Sequence, residues 1–199
     1  MFRFFETIKI ESGIPKNLEC HQERLSRTII ENYQNANSFN LSDLIIVPNE
    51  YKSGIVKCRM EYDITGYSLK FVDYKIKPVK TLKIVHCDNI DYSFKYNDRK
   101  VLDDLLLQKG NCDDILIIKG DLITDISFAN IVFCDSENWF TSNMPLLKGT
   151  TRKRLLNSGK ITSIRILKSD IKKFSHFAII NAMRGEELME FYPVSNIFD

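Results

Sequence analysis

The sequence has no run of about 18 apolar residues, so it offers no membrane-spanning helix. It begins MFRFFETIKIESG, which alternates and turns charged within a few residues. No secretory signal is expected, and the expected location is cytoplasmic. There is no C-x-x-C pair. The cysteines, Cys20, Cys58, Cys87, Cys112 and Cys134, are odd in number and widely spaced, which predicts reduced, mostly buried thiols and no zinc site. Neither sign of charge dominates: 28 Lys and Arg stand against 26 Asp and Glu, a net charge of +2. The basic residues are scattered, so there is no bulk electrostatic case for nucleic acid or a membrane surface. Repeats and low-complexity tracts are absent too. What is present is ordinary: 199 residues, 44% hydrophobic and 27% charged, enough for one large domain or two small lobes with real cores.

The pattern of apolar residues predicts an α+β chain. Phe2 to Ile10 is aromatic and β-branched, as a strand is, and Gly13 and Pro15 then mark a turn. Leu18, His21, Leu25, Thr28, Ile29 and Asn32 recur at helical spacing within Leu18–Gln34. A shorter helical turn over Leu41–Val47 follows, with Asn40 as its N-cap. Strands are expected at Ile55–Tyr62, Tyr67–Ile76 and Thr81–Cys87, the first two joined by a hairpin turn. These elements make a small N-terminal α/β lobe, 1–88. The larger lobe, 89–199, starts with a helix over Asn97–Gln108 that Gly110 stops. Short strands follow at Ile115–Lys119, Leu122–Thr124, Asn130–Cys134 and Trp139–Thr141. Beyond them come a helix over Thr150–Asn157, strands at Thr162–Leu167 and Phe177–Ile180, and an extended tail over Met189–Phe198.

Four segments could carry chemistry, and each has a plainer reading beside it. Lys95 stands among Tyr92, Phe94 and Tyr96 just before a helix. An apolar setting disfavours its ammonium and would make it a Schiff-base nucleophile, although taken alone it reads better as a surface lysine. Gly149-Thr150-Thr151-Arg152 opens a helix, and helix-start N–H groups with two hydroxyls suit a phosphate, or serve as a simple cap. Asp125, between two strands, could hold a pyridine nitrogen protonated, or be a turn acid. His21 and Arg24 share a helix face, and Arg24 could bind phosphate bidentately or lie in solvent.

The order of these segments is more specific than any one of them. His21-Gln-Glu-Arg24-Leu25, then Lys95 before a helix, then Thr124 to Asn130 (T-D-I-S-F-A-N), then Pro145 to Arg152 (P-L-L-K-G-T-T-R), then Ile179 to Ala182 with Pro193-Val194, together resemble the class IV aminotransferases, the enzymes of pyridoxal 5'-phosphate (PLP) fold type IV. The resemblance runs over nearly the whole chain. It implies a two-lobed fold whose C-terminal lobe has much antiparallel, barrel-like sheet, PLP as cofactor, and a homodimer. It implies Lys95 as the catalytic lysine that holds the cofactor and shuttles the Cα proton. Asp125 would pair with the ring nitrogen, Arg24, Thr150 and Thr151 would bind the phosphate, and Asn181 would lie where the phosphate pocket closes. Arg99, four residues after Lys95, would face the ring hydroxyl. The sequence departs from the pattern in three ways. Asp125 replaces the usual Glu, Thr150 replaces the Ile of G-I-T-R, and the chain begins about one hairpin later than relatives do.

Members of this family include branched-chain and D-amino-acid aminotransferases and 4-amino-4-deoxychorismate lyases. The Lys-x-x-x-Arg spacing of Lys95 and Arg99 and the short chain resemble the lyase-like members, which release pyruvate and 4-aminobenzoate, the folate precursor. A transaminase is the alternative, and a non-catalytic relative of the fold is a third. Arg59, on a strand, is a candidate partner for a substrate carboxylate, or an exposed strand arginine. No metal is expected.

Overall fold

The computed structural model describes residues 2–34, 39–185 and 190–199. The chain forms two compact units: Met1–Ile76 with Phe94–Asp98, and Lys77–Ser93 with Arg99–Asp199.

The first unit is a four-stranded antiparallel sheet in the order β2-β1-β3-β4, formed by β1 (Phe4–Glu11), β2 (Ile14–Pro15), β3 (Ile55–Asp63) and β4 (Gly66–Asp73). On β3 burial alternates strictly, so Val56, Cys58, Met60 and Tyr62 point inward, as a strand with one face on a core requires. Against that face lies helix α1 (Leu18–Tyr33), which contributes Leu25 and Ile29 to the same core. Helix α2 is shorter than the apolar pattern suggests, Leu41–Leu44, because the backbone leaves helical geometry at Ile45, with φ −85° and ψ 82°. Asn40 does cap it, accepting the Ser42 N–H. Residues 94–98 join this unit along the edge of β1 that β3 leaves open. There the Phe5 N–H donates to the Lys95 carbonyl at 3.0 Å, and Phe4 bridges to Tyr96.

Among its described residues the second unit holds nine strands: β5 (Leu82–His86), β6 (Asp114–Lys119), β7 (Leu122–Ile126), β8 (Asn130–Cys134), β9 (Trp139–Ser142), β10 (Thr162–Ile164), β11 (His176–Ile180), β12 (Phe191–Pro193) and β13 (Ile197–Phe198). They run in the order β10-β9-β8-β7-β6-β5-β13, with β11 paired to β8 and to β12. The sheet is mixed: β5 runs parallel to both β6 and β13, and β9 parallel to β10. Helix α3 (Lys100–Leu106) ends in a short 3-10 turn before Gly110, whose φ of 57° ends the run. Helix α4 spans Thr150–Asn157, and its Leu155 packs with Val132 and Ile180.

The division between units differs from a cut at residue 88. Thr81–Cys87 forms a strand as expected, but its core, β5, pairs with β6 and so belongs to the second unit. The chain then returns to the first unit at Phe94–Asp98 before re-entering the second. The tail is interrupted rather than extended, with a 3-10 turn at Val194–Asn196, and Met189 lies outside the described residues. Of the five cysteines only Cys58 is buried, being one of the inward residues of β3. Among the described residues, no helix is long and apolar enough to cross a membrane.

Candidate active site

In the first unit the chemistry starts from a charged residue on an apolar stripe. Phe4, Glu6, Ile8 and Ile10 alternate inward on β1, and Glu6 is fully buried beneath α1. Helical spacing brings His21 and Arg24 over it. The His21 Nδ1 lies 2.6 Å from Glu6 Oε2, and Arg24 donates through Nε to Oε1 at 2.8 Å and through Nη2 to Oε2. Burial alone would raise the Glu6 carboxyl. The Arg24 charge and the hydrogen bonds from His21 and Arg24 outweigh it and hold the group at about 2. His21 is pushed down chiefly by burial, which the bond to Glu6 only partly opposes, so the ring is neutral near pH 7.

Lys95 is half-buried, and its Nζ lies 4.7 Å from the centroid of Phe5. Arg59 reaches the same ring, its Cζ 3.8 Å from the centroid. The Arg59 Nε donates to Glu61 at 2.8 Å and its Nη2 to Asn97 Oδ1. The first unit therefore gathers Lys95 and Arg59 on one aromatic ring, and fixes Arg24 on Glu6.

In the second unit Asp125 is 5% exposed. Its Oδ1 accepts from Asn130 Nδ2 at 2.7 Å and its Oδ2 from the Leu147 N–H at 2.9 Å. Burial pushes its carboxyl up to about 6, against the lowering effect of those bonds and of the Arg152 charge. Asn130 also donates to the Leu147 carbonyl at 2.9 Å, so it ties Asp125 to the loop that enters α4. That loop ends at Gly149, where an added Cβ would stand 2.0 Å from Asn130 Oδ1. Gly149 brings no capping side chain to the first turn of α4, and Thr150 and Thr151 are buried there. Arg99 donates to the Ser127 carbonyl at 2.9 Å, in the loop between β7 and β8. Asn181 follows β11, whose last residue pairs with Asn130, and its Oδ1 accepts the N–H groups of Met183 and Arg184. Asp125, Arg99, Asn181 and the start of α4 thus converge around the Asn130 end of β8.

The donor set fits a phosphorylated pyridine. A buried carboxylate displaced upward to about 6 gains from a protonated ring nitrogen. It accepts from Asn130 and from the Leu147 N–H, and the Leu146 N–H also lowers it, while a carboxylate has about four acceptor sites, so capacity remains for that contact. Gly149 keeps the chain close to Asn130 at a helix start suited to an anion.

Two residues of this arrangement were not singled out from sequence. Glu6 could have been, as the one acid on the inward stripe of FRFFETIKI. Asn130 lies inside the T-D-I-S-F-A-N motif, but the two hydrogen bonds its Nδ2 donates, to Asp125 and to the Leu147 carbonyl, depend on a loop geometry that spacing does not reveal.

Comparison with known proteins now adds the family. No protein-family model matches the sequence. A Haemophilus influenzae protein described as uncharacterised is 39% identical over 187 residues, 93% of this chain and 100% of that protein. A crystal structure from Haemophilus somnus, provisionally described as a 4-amino-4-deoxychorismate lyase, is 37% identical with a TM-score of 0.86, covering 93% of this chain and 98% of that one. The branched-chain amino acid aminotransferase of Escherichia coli shares the fold at 12% identity and a TM-score of 0.71, over 98% of this chain and 76% of that one. The architecture is the α+β fold of PLP fold type IV. The chain belongs to the class IV aminotransferase family.

Proposed function

We propose that this protein is a PLP-dependent 4-amino-4-deoxychorismate lyase, releasing pyruvate and 4-aminobenzoate in folate synthesis. The observation that carries the choice of lyase is Arg99, four residues after Lys95 and bonded to the Ser127 carbonyl beside Asp125. That spacing is the lyase-like one, and the Haemophilus somnus relative carries the same provisional description.

The roles follow from the chemistry of each side chain. The Lys95 amine would carry the cofactor and, when substrate displaces it, remove the proton from the carbon bearing the substrate nitrogen. Bound PLP would supply the electron sink for that step. Asp125 would keep the ring nitrogen protonated, and Arg99 would face the ring hydroxyl. The first-turn N–H groups of α4, Thr150, Thr151 and Arg24 would hold the phosphate, with Asn181 closing that pocket. Arg59 would take a substrate carboxylate. The chain would act as a homodimer.

The experiment is spectroscopic and then chemical. Wild-type protein given PLP should develop a visible band that borohydride abolishes and that Lys95→Ala lacks. Supplied with aminodeoxychorismate, it should yield 4-aminobenzoate and pyruvate. No band with added PLP would overturn the cofactor reading. Amino transfer from glutamate, alanine or a branched-chain amino acid to a keto acid, without 4-aminobenzoate, would make the protein a transaminase instead.

A further inference from the structure

Residues 95–97 run beside β1 and meet it in one isolated antiparallel bridge, Phe4 to Tyr96. The Phe5 N–H donates to the Lys95 carbonyl at 3.0 Å and the Asn97 N–H to the Arg3 carbonyl at 2.9 Å. Side chains two apart on a strand share a face, so Asn97 lies on the Lys95 side. Phe5, opposite Lys95, is on that face too. So is Arg59, which pairs with Thr7, two residues along from Phe5.

On this face the Arg59 guanidinium is held on three sides. Phe5 supports its plane at 3.8 Å, Glu61 takes Nε, and Asn97 Oδ1 takes Nη2. Asn97 is itself oriented, because its Nδ2 donates to the Phe2 carbonyl at 2.9 Å and leaves only the oxygen to turn toward Arg59. The remaining nitrogen, Nη1, has no hydrogen-bond partner among the described residues, and the Arg59 side chain is 30% exposed. One guanidinium edge is thus left open to a ligand, against the same ring that carries the Lys95 ammonium. A clamped guanidinium receives an anion without first having to be ordered.

We propose that Asn97 is a positioning residue that fixes Arg59 to receive the carboxylate of an amine-bearing substrate, with Phe5 as the flat support. This deepens the reading above and rests on Lys95 being the reactive lysine. A neutral amide suits the task. Glu61 already offsets the Arg59 charge, and a second carboxylate at 97 would leave little attraction for an anion.

The test uses PLP-loaded protein and two probes of the same shape, 4-aminobenzoate and the uncharged 4-aminobenzamide, with binding followed by calorimetry. Wild type should prefer the carboxylate by about tenfold or more, the worth of a charge-assisted hydrogen bond. Asn97→Ala should bring the two affinities to within a few fold, and Asn97→Asp should reduce the preference further. In an Arg59→Ala background, Asn97→Ala should have no added effect, which a purely structural role would not produce. Asn97→Ala that keeps the wild-type preference overturns the proposal, as does a wild type with no preference. Loss of the cofactor band together with the preference marks a folding lesion and also overturns the role. The Lys95→Ala spectrum reports separately on the underlying reading, so the two failures are distinguishable.

Discussion

Each unit buries one carboxylate beside candidate functional residues, and the two are driven in opposite directions. Glu6 is fully buried and held at about 2, while Asp125 is 5% exposed and raised to about 6. Burial disfavours the charge in both. What differs is the company. Glu6 receives two bonds from Arg24 and one from His21, so its charge is neutralised inside its own unit. Asp125 receives the Asn130 amide and backbone N–H groups of Leu146 and Leu147, and Arg152, whose charge reaches it, directs Nη2 to Ser142 and Ser163. Glu6 sits in a close ion pair with Arg24, whereas Asp125 feels the Arg152 charge without a salt bridge among the described residues.

The largest way to break this contrast is to remove the charge that is already paired. Glu6→Gln removes the buried carboxylate that takes two bonds from Arg24 and one from His21, and should cost about 3–5 kcal/mol of stability in a denaturant titration. The pH dependence has a definite sign. Because the folded carboxyl titrates at about 2 and the unfolded one near its ordinary value of 4.5, its contribution is fully present above the unfolded value. It is lost as pH falls toward 2, and amounts to about 3 kcal/mol. A Glu6→Gln protein as stable as wild type would mean that Arg24 finds other partners.

Asp125 should behave in the reverse sense. Its folded carboxyl titrates at about 6 and its unfolded one near 3.8, so between these values the folded state binds more protons. Stability from this group therefore falls as pH rises through that window, by somewhat less than about 3 kcal/mol, and stays lost at pH 7. A carboxyl resonance of Asp125 in cofactor-free protein should titrate near 6. Added PLP should move that midpoint down as the ring nitrogen takes up the missing role. A midpoint near 4 without cofactor would remove the contrast with Glu6.

How far the sequence anticipates this depends on whether a feature is periodic or relational. The inward stripe of β3, the face of α1 and the span of α4 are written in spacings of two and of three to four, and the structure has them within a residue or two. The place of Thr81–Cys87 was not legible. Its composition says strand, but only parallel pairing to Asp114–Lys119 assigns it to the second unit. The same holds at the site. His21 and Arg24 were visible as neighbours on a helix, while their shared partner Glu6 lies fifteen and eighteen residues earlier on another element. Asn97 was visible only as a residue near Lys95, because its bond to Arg59 spans thirty-eight positions. Motif order carried the family, and local periodicity carried the elements. Pairing between distant segments was left to the folded chain.

A smaller effect would sharpen the contrast from the side of Asp125. Gly149 has φ −67° and ψ 145°, an ordinary extended backbone, so alanine there meets no conformational penalty. The obstacle is spatial: the new Cβ would stand 2.0 Å from Asn130 Oδ1 and 3.2 Å from its Cγ. Asn130 cannot yield without giving up its bonds to Asp125 and to the Leu147 carbonyl. Gly149→Ala should therefore lose about 1–3 kcal/mol, the cost of breaking a buried polar link, measured by denaturant unfolding. With one donor gone, the Asp125 midpoint should climb above its wild-type position, widening its separation from Glu6. Glu6 itself, in the other unit, should titrate as before. If the Asp125 midpoint stays fixed in Gly149→Ala, then Asn130 is not what restrains that carboxylate, and the Leu147 N–H and the Arg152 charge are what oppose its burial.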